Sequence, residues 1–254
     1  MGDLSAKTIL LTGASRGIGA ATARALGTAG ARLVAHYGSY REGAEEAVAS
    51  IPPGERLLVQ ADLSQPGAAR ALWREAVSWR GRVDVLVANA ATMPTTAFEG
   101  ADEEWDDGWR RALHVNVLEP ASLIREAVIH FREHGGGTVI TLSSWAAQRG
   151  SAISDLNAYA ASKAAIANLT QTVARTYARD GVLAHVVAPG IVRTRLSEAS
   201  AAARGGFDAV NAALAMGEMV PPEEVAALIA FLATGRCRHL TGATIDVNGA
   251  SNIR

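Results

Sequence analysis

Seven short apolar runs recur along the chain, and longer stretches of helical periodicity lie between most of them. The runs are Lys7–Thr12, Arg32–His36, Arg56–Gln60, Val83–Ala88, Thr138–Leu142, Val182–Ala188 and Thr244–Val247. Within each, apolar residues follow one another instead of alternating with polar ones, the pattern of strands covered on both faces of a parallel sheet. Periodicity predicts helices over Ile18–Ala29, Gly67–Trp79, Ser122–Phe131, Tyr159–Tyr177 and Pro222–Leu232. The last opens with Pro-Pro-Glu-Glu, which suits a first turn because proline tolerates that position and acids complement the positive end of the dipole. Repeated strand–helix–strand units cross over right-handedly, so the expected fold is α/β: an open, doubly wound parallel sheet of about seven strands with helices on both faces.

The 254 residues are 49% hydrophobic and 19% charged, which supports a large core and argues against disorder. No repeat, linker or low-complexity tract divides residues 1–254, so one domain is expected. A formal net charge of -1 leaves no electrostatic footprint for nucleic acid or an anionic membrane. The N-terminal residues carry no basic segment followed by a long apolar run, Ala6 breaks a myristoylation pattern, and no apolar run reaches the roughly 18 residues of a membrane span. The lone Cys237 excludes an internal disulfide. A soluble, cytoplasmic protein is expected.

Thr12-Gly13-Ala14-Ser15-Arg16-Gly17-Ile18-Gly19 falls where the first strand turns into the first helix. Glycines there permit a tight turn, let the backbone approach a pyrophosphate and let helix and strand pack closely. Phosphates would meet the free N–H groups and positive dipole of the helix start. Gly13, Ser15, Arg16, Gly17, Ile18 and Gly19 are therefore candidate dinucleotide contacts. No Gly-Lys-Ser/Thr follows, which disfavours a nucleoside triphosphatase. The second strand ends Ala35-His36-Tyr37-Gly38-Ser39-Tyr40-Arg41, with no acid before Glu42 to bind a ribose 2′-hydroxyl. Arg16 and Arg41 could flank a 2′-phosphate, with Tyr37 and Ser39 beside it, so NADP(H) is favoured and NAD(H) is the alternative.

Tyr159-Ala-Ala-Ser-Lys163 places two side chains on one face of a helix. A phenol with a pKa near 10 shuttles protons poorly at neutral pH. An adjacent ammonium, with a cationic nicotinamide, is expected to lower it. The chain writes basic charge as 22 Arg and only two Lys, Lys7 and Lys163, so a lysine at this spacing implies a task a rigid guanidinium would do poorly.

These segments resemble the classical short-chain dehydrogenases/reductases along essentially the whole chain, and 3-oxoacyl-acyl-carrier-protein reductases most. The matching pieces come in the family's order: Thr12–Gly19, Asp62-Leu63, Ala88-Asn89-Ala90-Ala91, Asn116, Ser143-Ser144, Tyr159 with Lys163, and Pro189-Gly190-Ile191-Val192-Arg193-Thr194. The resemblance implies a single Rossmann-type domain. It implies that Ser144 polarises the substrate carbonyl and Tyr159 exchanges the proton. Lys163 would bind the nicotinamide ribose, and Asn116 would hold a relay water. Asp62 with Leu63 would contact adenine, Asn89 and Ala90 would shape the cleft, and Pro189, Gly190, Ile191 and Thr194 would fix the carboxamide. The implied activity interconverts a carbonyl and a secondary alcohol, on a 3-oxoacyl thioester, free or carrier-bound, or a related ketone. The alternatives are an NAD-dependent alcohol or sugar dehydrogenase and a non-catalytic dinucleotide sensor. Assembly as a homotetramer or homodimer is implied as well. The usual Asn-Ala-Gly reads Asn89-Ala90-Ala91 here, and the Ser144–Tyr159 interval is longer than the family norm, which leaves Ser143 as a rival to Ser144. Segment 195–217 is expected to form a substrate flap, and Gln148–Asn157 to line the substrate mouth.

Six histidines show no metal-binding spacing, and no metal is expected. His130 and His134 read as a helix C-terminal cap. Asp102–Glu104 read as a solvated helix start, and Trp105 and Trp109 as packing residues.

Overall fold

The computed structural model describes residues 3–195, 197 and 205–253. Seven strands, β1 (Thr8–Leu11), β2 (Arg32–Tyr37), β3 (Arg56–Gln60), β4 (Val85–Ala88), β5 (Gly137–Leu142), β6 (Val182–Pro189) and β7 (Thr244–Val247), form one parallel sheet in the order β3-β2-β1-β4-β5-β6-β7. Each apolar run of the sequence became a strand. Successive residues feed opposite cores: Ile9 and Leu11 pack on one face, Leu10 on the other.

The first face is covered by α1 (Gly17–Thr28), α2 (Arg41–Ala47) and α9 (Pro222–Ala233), whose Leu26, Ala47 and Ile229 join the core around Leu11 and Val87. The second face is covered by α3 (Ala68–Arg80), α5 (Glu119–Glu133) and α7 (Asn157–Tyr177), through Trp73, Phe131 and Ile166. Further helices are α4 (Asp102–Leu113), α6 (Ala146–Arg149) and α8 (Gly206–Ala212). The acids at the start of α4 occupy its first turn, and Phe98, Trp105 and Trp109 stack with centroids 5.3 and 5.8 Å apart. His134 Nδ1 lies 2.7 Å from the His130 carbonyl at the end of α5, while His130 Nε2 accepts the Val83 N–H at 3.2 Å.

Two features escaped the sequence reading. A π-helical turn, His114–Leu118, joins α4 to α5 without a loop. Glu119, at the start of α5, is buried and accepts N–H bonds from Gly67 (3.0 Å) and Ala69 (2.7 Å), so its carboxylate caps a helix some fifty residues away.

The strand order reverses between β1 and β4, and α/β sheets bind ligands in the crevice beyond the strand ends at such a point. The C-terminal turn lies across one side of this region. Asn252 donates to Gln148 at 3.3 Å, and the Ala215 N–H reaches Ser251 Oγ at 3.4 Å. Ala250 in that turn has φ 58°, the only non-glycine at positive φ among the described residues. A left-handed L-residue costs about 1–2 kcal/mol, partly offset by the greater unfolded-state freedom of glycine. Ala250→Gly is therefore expected to raise unfolding free energy by about 0.5 kcal/mol in denaturant titration; a loss of stability would mean that the alanine methyl packs to advantage.

Candidate active site

The glycine-rich turn leaves β1 with Gly13 at φ 71° and enters α1 at Gly17 with φ 51°. A Cβ on Gly19 would stand 1.9 Å from the Gly13 carbonyl, and one on Gly17 2.9 Å from Thr194 Cγ2. Side chains are therefore excluded at Gly17 and Gly19, and the N-cap residue Arg16 does not cap the N–H groups at the start of α1 with its side chain. This is a cradle of the kind a pyrophosphate needs. Thr12 braces it. Its hydroxyl accepts the N–H groups of Asn89 and Ala90, both at 3.0 Å, and Asn89 Nδ2 returns bonds to the carbonyls of Thr12 (2.9 Å) and Gly13 (3.2 Å). Ala91 needs no positive φ, so the departure from Asn-Ala-Gly is accommodated in ordinary backbone.

At the end of β2, Tyr37 is buried and Ser39 exposed. The Arg16 guanidinium lies 4.3 Å over the Tyr40 ring. Arg41 pairs with Glu45 at 2.8 Å and reaches the Tyr37 hydroxyl at 3.4 Å. Asp62, exposed after β3, accepts the Ser64 N–H at 2.9 Å, which lowers its pKa, and Leu63 beside it is buried.

At the end of β5, Lys163 Nζ donates to the Leu142 carbonyl and Ser143 Oγ donates to the Lys163 carbonyl, both at 2.8 Å. These reciprocal bonds lock the strand end to the first turns of α7. Ser143 is thereby committed to backbone, whereas the Ser144 hydroxyl accepts the Ala146 N–H at 3.2 Å, and its interaction with the Tyr159 phenol lowers the phenol's pKa. Asn116, buried in the π-turn, binds the Thr92 N–H (2.8 Å) and carbonyl (2.9 Å) and donates to Ser162 Oγ (3.0 Å); Ser162 in turn donates to the Tyr159 carbonyl at 2.7 Å. Both amide hydrogens of Asn116 are spent, so it cannot donate to a water through its side chain.

The sequence led us to expect that Lys163 together with a cationic nicotinamide lowers the Tyr159 pKa; the protein's own groups act in the opposite direction. Burial pushes the phenol up to about 12, only partly opposed by the Ser144 hydrogen bond, and pushes Lys163 down to about 8. The reason is geometric: the Lys163 ammonium is turned to Leu142, 5.8 Å from the Tyr159 ring centroid.

Pro189 and Gly190 close β6, with Gly190 against Asn248. Ile191 to Arg193 are pinned by an isolated bridge between Val192 and Val220, and the Thr194 N–H binds Ser197 Oγ at 3.0 Å. Of the expected flap, residues 196 and 198–204 lie outside the described residues, while α8 anchors Val210 on Met219, Ile191 and Leu214. The stretch 148–157 contains the end of α6 and a 3-10 turn, Ser154–Leu156. It is tied to the segment after β4 by a clasp that sequence reasoning missed. Thr96 Oγ1 binds Asn157 Oδ1 at 2.9 Å, and Asn157 Nδ2 binds the Thr96 carbonyl at 2.6 Å. The partners are 61 residues apart, and no local pattern announces them.

Comparison with known proteins places this arrangement. Residues 13–251 match the family model described as Enoyl-(Acyl carrier protein) reductase. The chain belongs to the classical short-chain dehydrogenases/reductases. Across 99% of its length this short-chain dehydrogenase/reductase is 35% identical to 3beta-hydroxysteroid dehydrogenase 1 of Eggerthella lenta, covering 95% of that protein. It is 36% identical to cis-4-hydroxycyclohexanecarboxylate dehydrogenase of Sinomonas cyclohexanicum, with 98% of each chain covered. Among solved structures it resembles a 3-oxoacyl (acyl-carrier-protein) reductase from Agrobacterium tumefaciens with NADP bound, at a TM-score of 0.87 and 32% identity over 97% of this chain and 95% of that one. The protein is an oxidoreductase acting on CH–OH groups. No helix of the described residues is long and apolar enough to cross a membrane.

Proposed function

We propose that this short-chain dehydrogenase/reductase is an NADP(H)-dependent ketone reductase whose catalytic residues are Ser144, Tyr159 and Lys163, with Asn116 as a positioning residue. The observation that carries the reading is that Ser143 is spent on backbone while Ser144, next to it, acts on the Tyr159 phenol, in a chain whose glycine turn has no room for side chains at Gly17 and Gly19. When bound, the dihydronicotinamide supplies the hydride that reduces the carbonyl carbon. Ser144 donates to the carbonyl oxygen and orients it, and Tyr159, protonated at neutral pH, gives its proton to the forming alkoxide. Lys163, held on Leu142, presents positive charge near the phenol and to a ribose hydroxyl. Asn116 acts as a positioning group, fixing Thr92 and the first turn of α7. Gly13, Ser15, Gly17, Ile18 and Gly19 would seat the pyrophosphate, Asp62 and Leu63 the adenine, Asn89 and Ala90 the cleft floor, and Pro189, Gly190, Ile191 and Thr194 the carboxamide.

NADP(H) is the cofactor we assign, because Arg16 and Arg41 flank an acid-free strand end and solved relatives from Agrobacterium tumefaciens and Beutenbergia cavernae carry NADP. The Arg41–Glu45 pair is exposed and weak enough for a phosphate to displace. Replacing both arginines with alanine should weaken NADPH binding at least about tenfold and leave NADH within about twofold, measured by fluorescence titration. Tighter binding of NADH than NADPH by the wild type would overturn the assignment.

The substrate class we infer is a 3-oxoacyl thioester or related ketone. A second reading, ring-borne secondary alcohols, draws on the names of the steroid and cyclohexane relatives. NADPH oxidation with acetoacetyl thioester, β-keto ester and cyclic ketone panels separates them. Absence of turnover on all, with tight NADPH binding unaffected by Tyr159→Phe, would favour a sensor. Exposed Leu118 and Ile129 around α5 are compatible with the homodimer or homotetramer that we infer.

A further inference from the structure

The Gly13 N–H, first in the glycine turn, does not face the crevice. It donates to His36 Nδ1 at 3.1 Å, and the opposite nitrogen of that ring, Nε2, lies 2.9 Å from the Ala61 carbonyl. Together these bonds fix the tautomer: Nδ1 is the acceptor and Nε2 carries the hydrogen. The backbone of the same residue holds the next position, because the Ala14 N–H donates to the His36 carbonyl at 2.8 Å. His36 therefore ties the turn after β1 to the ends of β2 and β3, and its ring is only 2% exposed. The turn has no slack on its other side, where a Cβ on Gly13 would stand 3.0 Å from both Ala90 Cα and Asn89 Nδ2. The reach of His36 thus sets the height of the cradle.

An imidazolium could not accept the Gly13 N–H. Two N–H groups would face each other in a dry site, and the turn would have to move. We infer that His36 is a positioning residue for the phosphate-binding turn, and that dinucleotide affinity requires its unprotonated Nδ1. This rests on the reading of the crevice as a dinucleotide site. Burial holds the ring below its ordinary pKa of 6.5, and the Ala61 carbonyl opposes that shift. The nearest charged residues along the elements it joins are Arg16 after the turn and Asp62 after Ala61, with Tyr37 next on β2, and none of them contributes to the shift. The neutral form therefore prevails at neutral pH, and affinity falls only as the solution is acidified through the lowered pKa of the ring.

The test compares wild type, His36→Asn and His36→Leu. Asparagine keeps an acceptor near the Nδ1 position and does not titrate, whereas leucine removes the acceptor. The Kd for NADP⁺ is measured by calorimetry from about pH 8 to about pH 5, with a thermal midpoint at each pH to confirm folding. We expect His36→Asn to bind within about threefold of wild type at the upper end, and His36→Leu about tenfold more weakly. Across the titration of the His36 ring, followed by its own proton resonances and extended further toward acid where the fold holds, wild type should lose affinity that His36→Asn keeps. The titration of the cofactor's own 2′-phosphate is common to all three forms and cancels in the ratio. A second readout needs no cofactor: the Gly13 amide resonance should move with the His36 ring titration in wild type and stay flat in His36→Asn. Parallel pH curves for wild type and His36→Asn, wild-type affinity in His36→Leu, or a Gly13 amide indifferent to the His36 titration would each overturn the inference alone. Failure of the folded wild type to bind NADP⁺ or NAD⁺ at any pH would overturn it together with the reading on which it rests.

Discussion

Tyr159→Phe is expected to lower kcat for carbonyl reduction by about 10²- to 10⁴-fold while leaving dinucleotide affinity within about twofold. The substitution keeps the ring and its packing and removes one oxygen, the atom through which Ser144 acts on the phenol. Loss confined to kcat identifies a group that acts in the transition state and not in uniform binding. The pH dependence follows from the direction of the shifts. With the phenol pushed up to about 12 and Lys163 down to about 8, Tyr159 enters the reductive direction already protonated, and Lys163 loses charge first as the pH rises. Reductive kcat/KM in wild type should therefore hold through neutral pH and fall on the alkaline side as Lys163 deprotonates. Steady-state kinetics across pH tests both parts. A variant retaining more than about a tenth of wild-type kcat would remove Tyr159 from the chemistry.

Thr12→Val should lower unfolding free energy by about 2 kcal/mol or more, from two N–H groups left without an acceptor at about 1–3 kcal/mol each. Valine matches threonine in shape, so the effect isolates the hydroxyl that receives the Asn89 and Ala90 N–H groups. For a chain of this size that is a fall of about 5 °C or more in thermal midpoint. Because Asn89 also holds the Thr12 and Gly13 carbonyls, dinucleotide affinity should weaken in the same variant. Denaturant titration and a binding isotherm read the two effects separately. A stability loss under about 0.5 kcal/mol would show that water replaces the hydroxyl at no cost.

What could be read in advance was what is written locally. The strands are apolar runs of sheet length, the glycine turn is a stretch of eight residues, and Tyr159 and Lys163 are one helical turn apart, so period and spacing expose all of them. What stayed hidden depends on partners distant in sequence: Glu119 capping α3, Thr96 clasping Asn157, and His36 taking the Gly13 N–H across 23 positions. A histidine ending a strand gives no sign of whether its ring seeks solvent or a backbone amide. The protein's own effect on the Tyr159 phenol was hidden for a related reason. Spacing set Lys163 on the same helical face as the phenol, but it could not show that the ammonium would be claimed by Leu142.

The π-turn at His114–Leu118 has a consequence for how this region tolerates change in length. Each helical residue advances about 100° around the axis, so the extra residue of a wider turn puts α4 and α5 out of phase by that angle. Deleting one residue there would leave an unbroken helix, easier to form than the present one, yet it would turn either Asn116 or the α3-capping Glu119 away from its partners. A segment that looks like a smooth rod is thus a fixed gear between two mates, and insertions or deletions that an ordinary loop would absorb would be transmitted to both.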